Sequence, residues 1–301
     1  QQAAHRLSGL GNSTIEVAAP LIVTGEEHRF LASEQLREVC IELGAALLEP
    51  VGRNTAPALT LAALAAQQNG TDPVLVVTPA DQTVIDQVAF TVAMQNAIRE
   101  AATGSIVILG ITPDRPETGY GYIQATAGTN EAAMSVQRFV EKPDASTAQQ
   151  YLDEGGYYWN AGMFVLKASV WLQALEQLRP DILQATTQAW AKRNTDANPA
   201  TPFIRPGKAE FAAIPAESVD YAVMEHCPGS PFAIKMVPLD AGWSDLGAWD
   251  AVWNVLPKDE AGNAHLGDVL TTDSRNTLVH ATSRLVSLVG VENLIVVETP
   301  D

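Results

Sequence analysis

The chain has 301 residues, with 18 Lys and Arg against 35 Asp and Glu, a formal net charge of −17 and an isoelectric point near 4.6. Apolar residues make up 47% and charged residues 18%, a globular composition that argues against disorder, and the evenly spread acid leaves no basic face for nucleic acid. Two isolated cysteines, Cys40 and Cys227, form no disulfide framework or metal spacing and point to a reduced, cytoplasmic setting. No apolar run nears the ~18–20 residues of a membrane span, and the first residues carry no signal-like apolar stretch.

Residues 1–10 read as the tail of an amphipathic helix. From there the pattern alternates. Short apolar runs at 20–25, 46–50, 73–77 and 105–110 read as buried strands, and the segments 28–39, 58–68 and 84–101 between them read as helices. Continuous apolar strands separated by helices predict βαβ units and a mostly parallel, Rossmann-like sheet. After Gly119 alternating segments at 120–126, 135–140 and 162–166 predict an antiparallel excursion. Helices are expected at 171–178 and 182–191, a surface loop at 194–207 and a strand at 232–239. Beyond Leu256 short strands at 268–270, 277–280, 285–289 and 294–297 alternate with turn residues, as in the first coils of a β-solenoid. The expected division is therefore an α/β domain over 1–257 and an all-β segment over 258–301. Both ends of the chain read as internal to a longer protein.

Polar residues collect where the apolar runs stop, the place where open α/β sheets bind ligands. Asp81 follows the 73–77 run and Asp245 lies between glycines in Gly242-Trp243-Ser244-Asp245-Leu246-Gly247. Each suits a divalent cation, and each equally suits the N-cap of the helix after it. Arg53, Asn54 and Thr55 precede an alanine-rich helix with Pro57 in its first turn; they suit a cap, or an anion and a base. Gly119-Tyr120-Gly121 admits close approach of a ligand or a bulge. Glu141-Lys142-Pro143 ends a strand with a carboxylate and an ammonium, and Asn160 sits among small residues at the start of another. The five histidines are scattered, and no P-loop, G-x-S-x-G or H-E-x-x-H pattern occurs.

In order and spacing, Gly52-Arg53-Asn54-Thr55-Ala56-Pro57-Ala58, Pro79-Ala80-Asp81, Glu117-Thr118-Gly119-Tyr120-Gly121-Tyr122-Ile123, Phe139-Val140-Glu141-Lys142-Pro143, Trp159-Asn160-Ala161-Gly162-Met163-Phe164, Ser218-Val219-Asp220-Tyr221-Ala222-Val223-Met224-Glu225 and Gly242-Trp243-Ser244-Asp245-Leu246-Gly247 resemble the mannose-1-phosphate guanylyltransferases. The closest likeness is to the bacterial type fused to a mannose-6-phosphate isomerase. Gly267-Asp268-Val269-Leu270 and Val291-Glu292-Asn293-Leu294-Ile295-Val296-Val297-Glu298 resemble the connector that forms left-handed β-helix-like coils in that type.

The resemblance implies a Rossmann-like nucleotidyltransferase domain followed by a β-helix-like segment, and transfer of GMP from GTP to mannose 1-phosphate, giving GDP-mannose and pyrophosphate. It implies Mg²⁺ on Asp81 and Asp245, the nucleotide on Arg53, Asn54 and Thr55, and the sugar phosphate on Gly119, Tyr120, Gly121, Glu141, Lys142, Asn160 and Asp220. Asp81, Lys142 and Asp245 would carry catalysis. The expected protein is cytoplasmic, without nucleic-acid or membrane partners, and homodimeric. Two alternatives stay open: another sugar-1-phosphate nucleotidyltransferase, or a non-catalytic sugar-nucleotide-binding subunit of the same fold. The family's Gly-Gly-x-Gly-x-Arg-Leu phosphate loop falls before Gln1, so residues 1–301 alone are expected not to turn over GTP.

Overall fold

The computed structural model describes residues 1–126, 132–196 and 203–301. The chain begins with α1 (Gln2–Ser8), β1 (Leu21–Gly25), α2 (Arg29–Glu38) and β2 (Ala45–Glu49). Next comes α3 (Thr55–Ala66), rich in the strongest helix formers Ala and Leu. After β3 (Val74–Val77) and the two-residue β4 (Thr83–Val84) runs α4 (Gln87–Ala102). Its cap is Asp86, whose Oδ1 accepts from the N–H of Val88 and Ala89, both at 2.9 Å. The helix expected from Val84 thus starts at Gln87, and Asp81 does not cap it.

Next are β5 (Ile106–Ile111), β6 (Tyr122–Thr126), β7 (Met134–Val140), α5 (Ala145–Glu154), β8 (Tyr157–Lys167), α6 (Ala168–Leu178) and α7 (Pro180–Ala191). The loop expected at 194–207 holds two short strands, β9 (Asn194–Thr195) and β10 (Phe203–Arg205), with 197–202 outside the described residues. Then follow α8 (Lys208–Ala212), α9 (Val219–Ala222), β11 (Ile234–Pro238), β12 (Trp243–Ser244) and α10 (Trp249–Val255). The last elements are β13 (Ala264–Leu266), β14 (Val269–Thr272), β15 (Leu278–Ala281), β16 (Val286–Val289) and β17 (Ile295–Glu298).

The chain forms two compact units, Gln1–Ala80 with Asp86–Trp243, and Asp81–Ile85 with Ser244–Asp301. In this division α10 goes with the second unit.

In the first unit β1, β2 and β10 are parallel, with β9 antiparallel at the edge. The larger sheet has the order β3-β8-β5-β11-β7-β6, and only its β5–β11 pair is parallel. This corrects the expected mostly parallel sheet. The reason is β8, which runs antiparallel between β3 and β5 and keeps them apart. An uninterrupted apolar run reports burial on both faces, which either strand direction satisfies. Around the sheets packs a core that includes Leu47, Leu61, Ile108, Trp171 and Phe211, all essentially inaccessible. The Trp171 indole N–H donates to Thr60 Oγ1 at 3.0 Å, so its one polar atom is satisfied. Truncating such a residue to Ala costs about 3–5 kcal/mol.

The second unit is a parallel stack: β13, β15 and β17 pair in one row, β14 and β16 in another. This is the coil arrangement expected from the strand spacing, with β13 in addition. Buried Asn263 bridges the coils, donating to the Ser274 carbonyl at 2.9 Å and accepting from Thr277 Oγ1 at 2.8 Å. Gly267, at φ +90°, passes so close to the Ala281 carbonyl that a Cβ would collide with it.

Candidate functional site

The register of three strands builds the first cluster. Tyr122 pairs with Val140 of β7 and with Trp159 of β8. One step further, Gly121 therefore faces Glu141 on one side and Asn160 on the other, and Asn160 N–H donates to the Gly121 carbonyl at 2.8 Å. A Cβ on Gly121 would lie 2.5 Å from Glu141 Oε2 and 3.3 Å from Asn160 Cβ. Glycine here leaves the room that the Glu141 carboxylate occupies.

Asn160 is fixed at both ends. Its Oδ1 accepts from Gly162 N–H at 2.9 Å and its Nδ2 donates to Asp220 Oδ1 at 2.8 Å. Asp220 lies in α9, which Ser218 caps through the Tyr221 N–H. The Glu141 side chain is 9% exposed; its Oε1 lies 3.4 Å from Lys142 Nζ, and its Oε2 is buried with no partner among the described residues. Burial and then the charge of Asp220 push the Glu141 carboxyl above the usual range, with Lys142 pulling the other way. Burial likewise raises Asp220, against its hydrogen bond from Asn160. Glu225 completes the cluster by accepting the Glu141 N–H at 2.8 Å. Three carboxylates thus meet one exposed lysine. The arrangement suits a neutral polyol that donates hydroxyl protons, with a single cation for an attached anion.

Beside it stands an aromatic wall. Tyr120 packs edge-on to Trp159 at 5.3 Å and to Trp243 at 5.5 Å, and the Arg115 guanidinium lies 5.1 Å over Trp159. Gly119 N–H is turned toward Glu117 Oε1 at 3.1 Å.

Arg53, Asn54 and Thr55 form a second group, beyond the C-terminal end of β2. Asn54, at φ +66°, caps α3 through Thr55 N–H at 2.8 Å. Thr55 Oγ1 accepts from Val219 N–H at 2.9 Å, and the Ala56 N–H donates to the Glu217 carbonyl. Thr55 therefore joins α3 to the segment that carries Asp220. Arg53 donates from Nη2 to the Ala212 carbonyl and keeps Nε buried without a partner among the described residues. Glu49, which the sequence reading passed over, ends β2. Its Oε1 is buried and likewise unpaired, and burial pushes its carboxyl up to about 7. The available signal was a carboxylate closing an apolar strand just before a proline.

Asp81 and Asp245 both belong to the second unit. They flank the β4–β12 pair, Asp81 two residues before β4 and Asp245 directly after β12. The cap of α10 is Ala248, so Asp245 does not cap that helix; its Oδ1 accepts from Gly247 N–H at 3.1 Å. Among the described residues no cluster of three or more His, Cys, Asp or Glu is placed to hold a metal. Two carboxylates nevertheless fit Mg²⁺, a hard cation that takes one or two and completes its shell with water and phosphate oxygens.

The family described as nucleotidyl transferase matches residues 4–262, and the MannoseP isomerase/GMP-like beta-helix domain matches 267–301. The xanthan biosynthesis protein XanB of Xanthomonas campestris pv. campestris strain B100 is 48% identical over 97% of this chain and 60% of its own length. A mannose-1-phosphate guanylyltransferase of Escherichia coli K12 is 44% identical over 95% of this chain and 60% of its own. The chain thus spans 60% of the length of these curated relatives. Among solved structures, one described as mannose-1-phosphate geranyltransferase from Thermus thermophilus superposes with a TM-score of 0.79 at 29% identity, over 93% of this chain and 77% of that one. Another, described as mannose-6-phosphate isomerase from Helicobacter pylori, gives 0.67 at 34% identity, over 74% and 83%. The chain belongs to the nucleotidyl transferase family, with a β-helix-like domain at its C-terminal end.

Proposed function

We propose that the full-length protein carrying this chain transfers GMP from GTP to mannose 1-phosphate, releasing pyrophosphate and forming GDP-mannose. One observation carries the reading: the Gly121–Glu141–Asn160–Asp220 cluster, with a buried unpaired carboxylate oxygen and a single lysine beside it. Glu141 would accept sugar hydroxyls, and Asn160, held by Asp220, would keep its polar face toward the ring. Lys142 would hold the sugar phosphate, with Gly119, Tyr120 and Gly121 against the sugar.

For the nucleotide, Glu49 offers an unpaired acceptor and Arg53, four residues on, an unpaired donor. That pair complements the edge of guanine, whose N1–H and N2–H donate and whose O6 accepts. Asn54 and Thr55 would shape the loop through their contacts with α3 and Val219. A phosphate oxygen of the sugar phosphate attacks the α-phosphorus of GTP in line, and the bond from that phosphorus to pyrophosphate breaks. The nucleophile is already an anion, so no general base is required, and positioning with charge neutralisation supplies the rate. Asp81 and Asp245 would hold the divalent ion, for which we propose Mg²⁺; when bound it neutralises phosphate charge that a net −17 protein would otherwise repel.

A cytoplasmic location and a homodimer belong to the same proposal. Both cysteines are free, and among the described residues no helix is long and apolar enough to cross a membrane. The test is pyrophosphate release by the full-length protein across a matrix of GTP, ITP, ATP, UTP and CTP against mannose 1-phosphate and glucose 1-phosphate. GTP with mannose 1-phosphate should dominate, and ITP, which lacks N2–H, should be about tenfold or more weaker. Equal use of all five nucleotides would overturn the base assignment, and preference for glucose 1-phosphate the sugar assignment.

A further inference from the structure

Successive side chains of an extended strand point to opposite faces of its sheet. β7 ends at Val140, and the two residues past it leave that pattern: Lys142 Nζ lies 3.4 Å from Glu141 Oε1. Lys142 has φ +48°, a left-handed conformation that residues with a Cβ seldom adopt. The next residue is Pro143, whose ring restricts Lys142 further and which has no N–H of its own to tie the turn down. No glycine relieves the strain. The pair's geometry must therefore be held by something outside the 140–143 segment.

That contact comes from Glu225, 84 residues along the chain, whose Oε1 accepts the Glu141 N–H at 2.8 Å. A carboxylate acceptor makes this a charge-assisted bond, stronger than a neutral one. Glu225 is itself well anchored. It sits in the short 3₁₀ turn Met224–His226, where Met224 is wholly buried and His226 N–H donates to the Val223 carbonyl at 3.0 Å. The clamp also works against the local electrostatics, because the Glu225 charge adds to those of Asp220 and Glu141 around one lysine. What it supplies is an acceptor at a fixed point.

We propose that Glu225 is a positioning residue: by gripping the Glu141 peptide it keeps the Glu141 and Lys142 side chains on one side of the sheet end, where they receive the sugar 1-phosphate. This rests on reading Glu141 and Lys142 as the sugar-phosphate site.

The test uses full-length protein with Glu225→Ala, Glu225→Gln and Glu225→Asp, and Lys142→Ala alongside. Glu225→Ala should raise the KM for mannose 1-phosphate by about 10- to 100-fold and change the KM for GTP by less than about threefold. Glu225→Gln keeps an oxygen that accepts the N–H and should stay within about threefold of the parent for both substrates. Equal rises for both substrates, no rise at all, or a Gln variant as impaired as Ala would each overturn the inference. If the Ala variant fails to fold, Glu225→Asp decides, since its shorter side chain cannot reach the amide. It should reproduce the one-substrate loss, and an unchanged KM would overturn the proposal. If Lys142→Ala leaves the mannose 1-phosphate KM unaltered, the site reading falls with it; if Lys142→Ala acts and neither Glu225→Ala nor Glu225→Asp does, only the clamp is wrong.

Discussion

The carboxylates of the proposed site in the first unit and the turn carboxylates of the second are treated in opposite ways. In the first, Glu141, Asp220 and Glu49 are drawn into the protein with few donors, and burial raises all three. In the second, Asp259 and Glu298 are supplied with N–H groups and are lowered. Asp259 accepts from Ala261, from the Asn263 backbone and from Asn263 Nδ2. A carboxylate surrounded by backbone donors has its acceptor capacity committed to holding a turn. One buried short of donors destabilises the free protein and keeps that capacity for a ligand. On the proposed function, the difference separates residues that bind from residues that build.

The sharpest challenge to this division is Asp245, which belongs to the second unit yet is assigned a binding role. Asp245→Asn preserves shape and removes one charge from the proposed cation site. Turnover of the full-length protein should fall by more than about 100-fold at saturating Mg²⁺, with the thermal midpoint little changed. Near-normal turnover would return Asp245 to the structural group.

Lys142→Ala should come next, acting mainly on one substrate. Losing a charge-assisted contact costs about 1.5–3 kcal/mol, roughly a ten- to hundredfold rise in the KM for mannose 1-phosphate. An equal change in the KM for GTP would move Lys142 to the reaction centre shared by both substrates.

Much of the first cluster was legible from the chain alone as polar residues at the ends of apolar runs. Glu141 and Asn160 stand out that way, but their roles came from the resemblance and not from those positions. Local spacing could not reveal pairings made across the fold. Glu225 meets Glu141 from 84 residues away, and Thr55 meets Val219 from 164. Asp81 stayed open between ligand and cap because Asp81 and Asp86 both precede the apolar helix, and only the hydrogen bonds of Asp86 identify the cap. Sheet order failed for a related reason: the chain marks 162–166 as antiparallel but not that β8 inserts between β3 and β5 and keeps those two from pairing in parallel. The solenoid was easier, because its short strands and turn residues recur along the sequence itself.

Glu49→Gln tests the binding class by stability. The folded carboxyl titrates near 7, above its ordinary 4.5, so the native state holds the extra proton between those values. Stability contributed at this site is therefore present below about pH 4.5 and lost as pH rises through 7. The variant cannot ionise. It should match the parent near pH 4 and exceed it at pH 8 by roughly 1–2 kcal/mol, allowing for partial solvent access. Thermal midpoints across that range read the gap, and the same variant should lose preference for GTP over ITP. A stabilised protein with base preference intact would make Glu49 a cost with no function.

Glu298→Gln should give the smallest effect, with the opposite sign. Its Oε2 accepts from the N–H groups of Thr282, Ser283 and Arg284 at 2.9–3.0 Å, and Oε1 from Ser283 Oγ at 2.7 Å. Those donors, Ser283 and Arg284 foremost, hold its carboxyl down at about 2, below its ordinary 4.5. Its contribution is then fully present above about pH 4.5 and lost as pH falls toward 2. A Gln side chain keeps one acceptor for those N–H groups, now neutral and therefore weaker. The variant should therefore melt below the parent at pH 7, and the gap should close as pH approaches 2. The local signature is faster hydrogen exchange at the amides of 282–284, since a neutral amide oxygen accepts from them more weakly than the carboxylate does. GDP-mannose synthesis at pH 7 should not change, because the carboxylate has no capacity left for a ligand. Loss of turnover with normal exchange at 282–284 would show that a donor-saturated carboxylate can still serve the reaction, and the division between binding and building residues would fail where it is drawn most clearly.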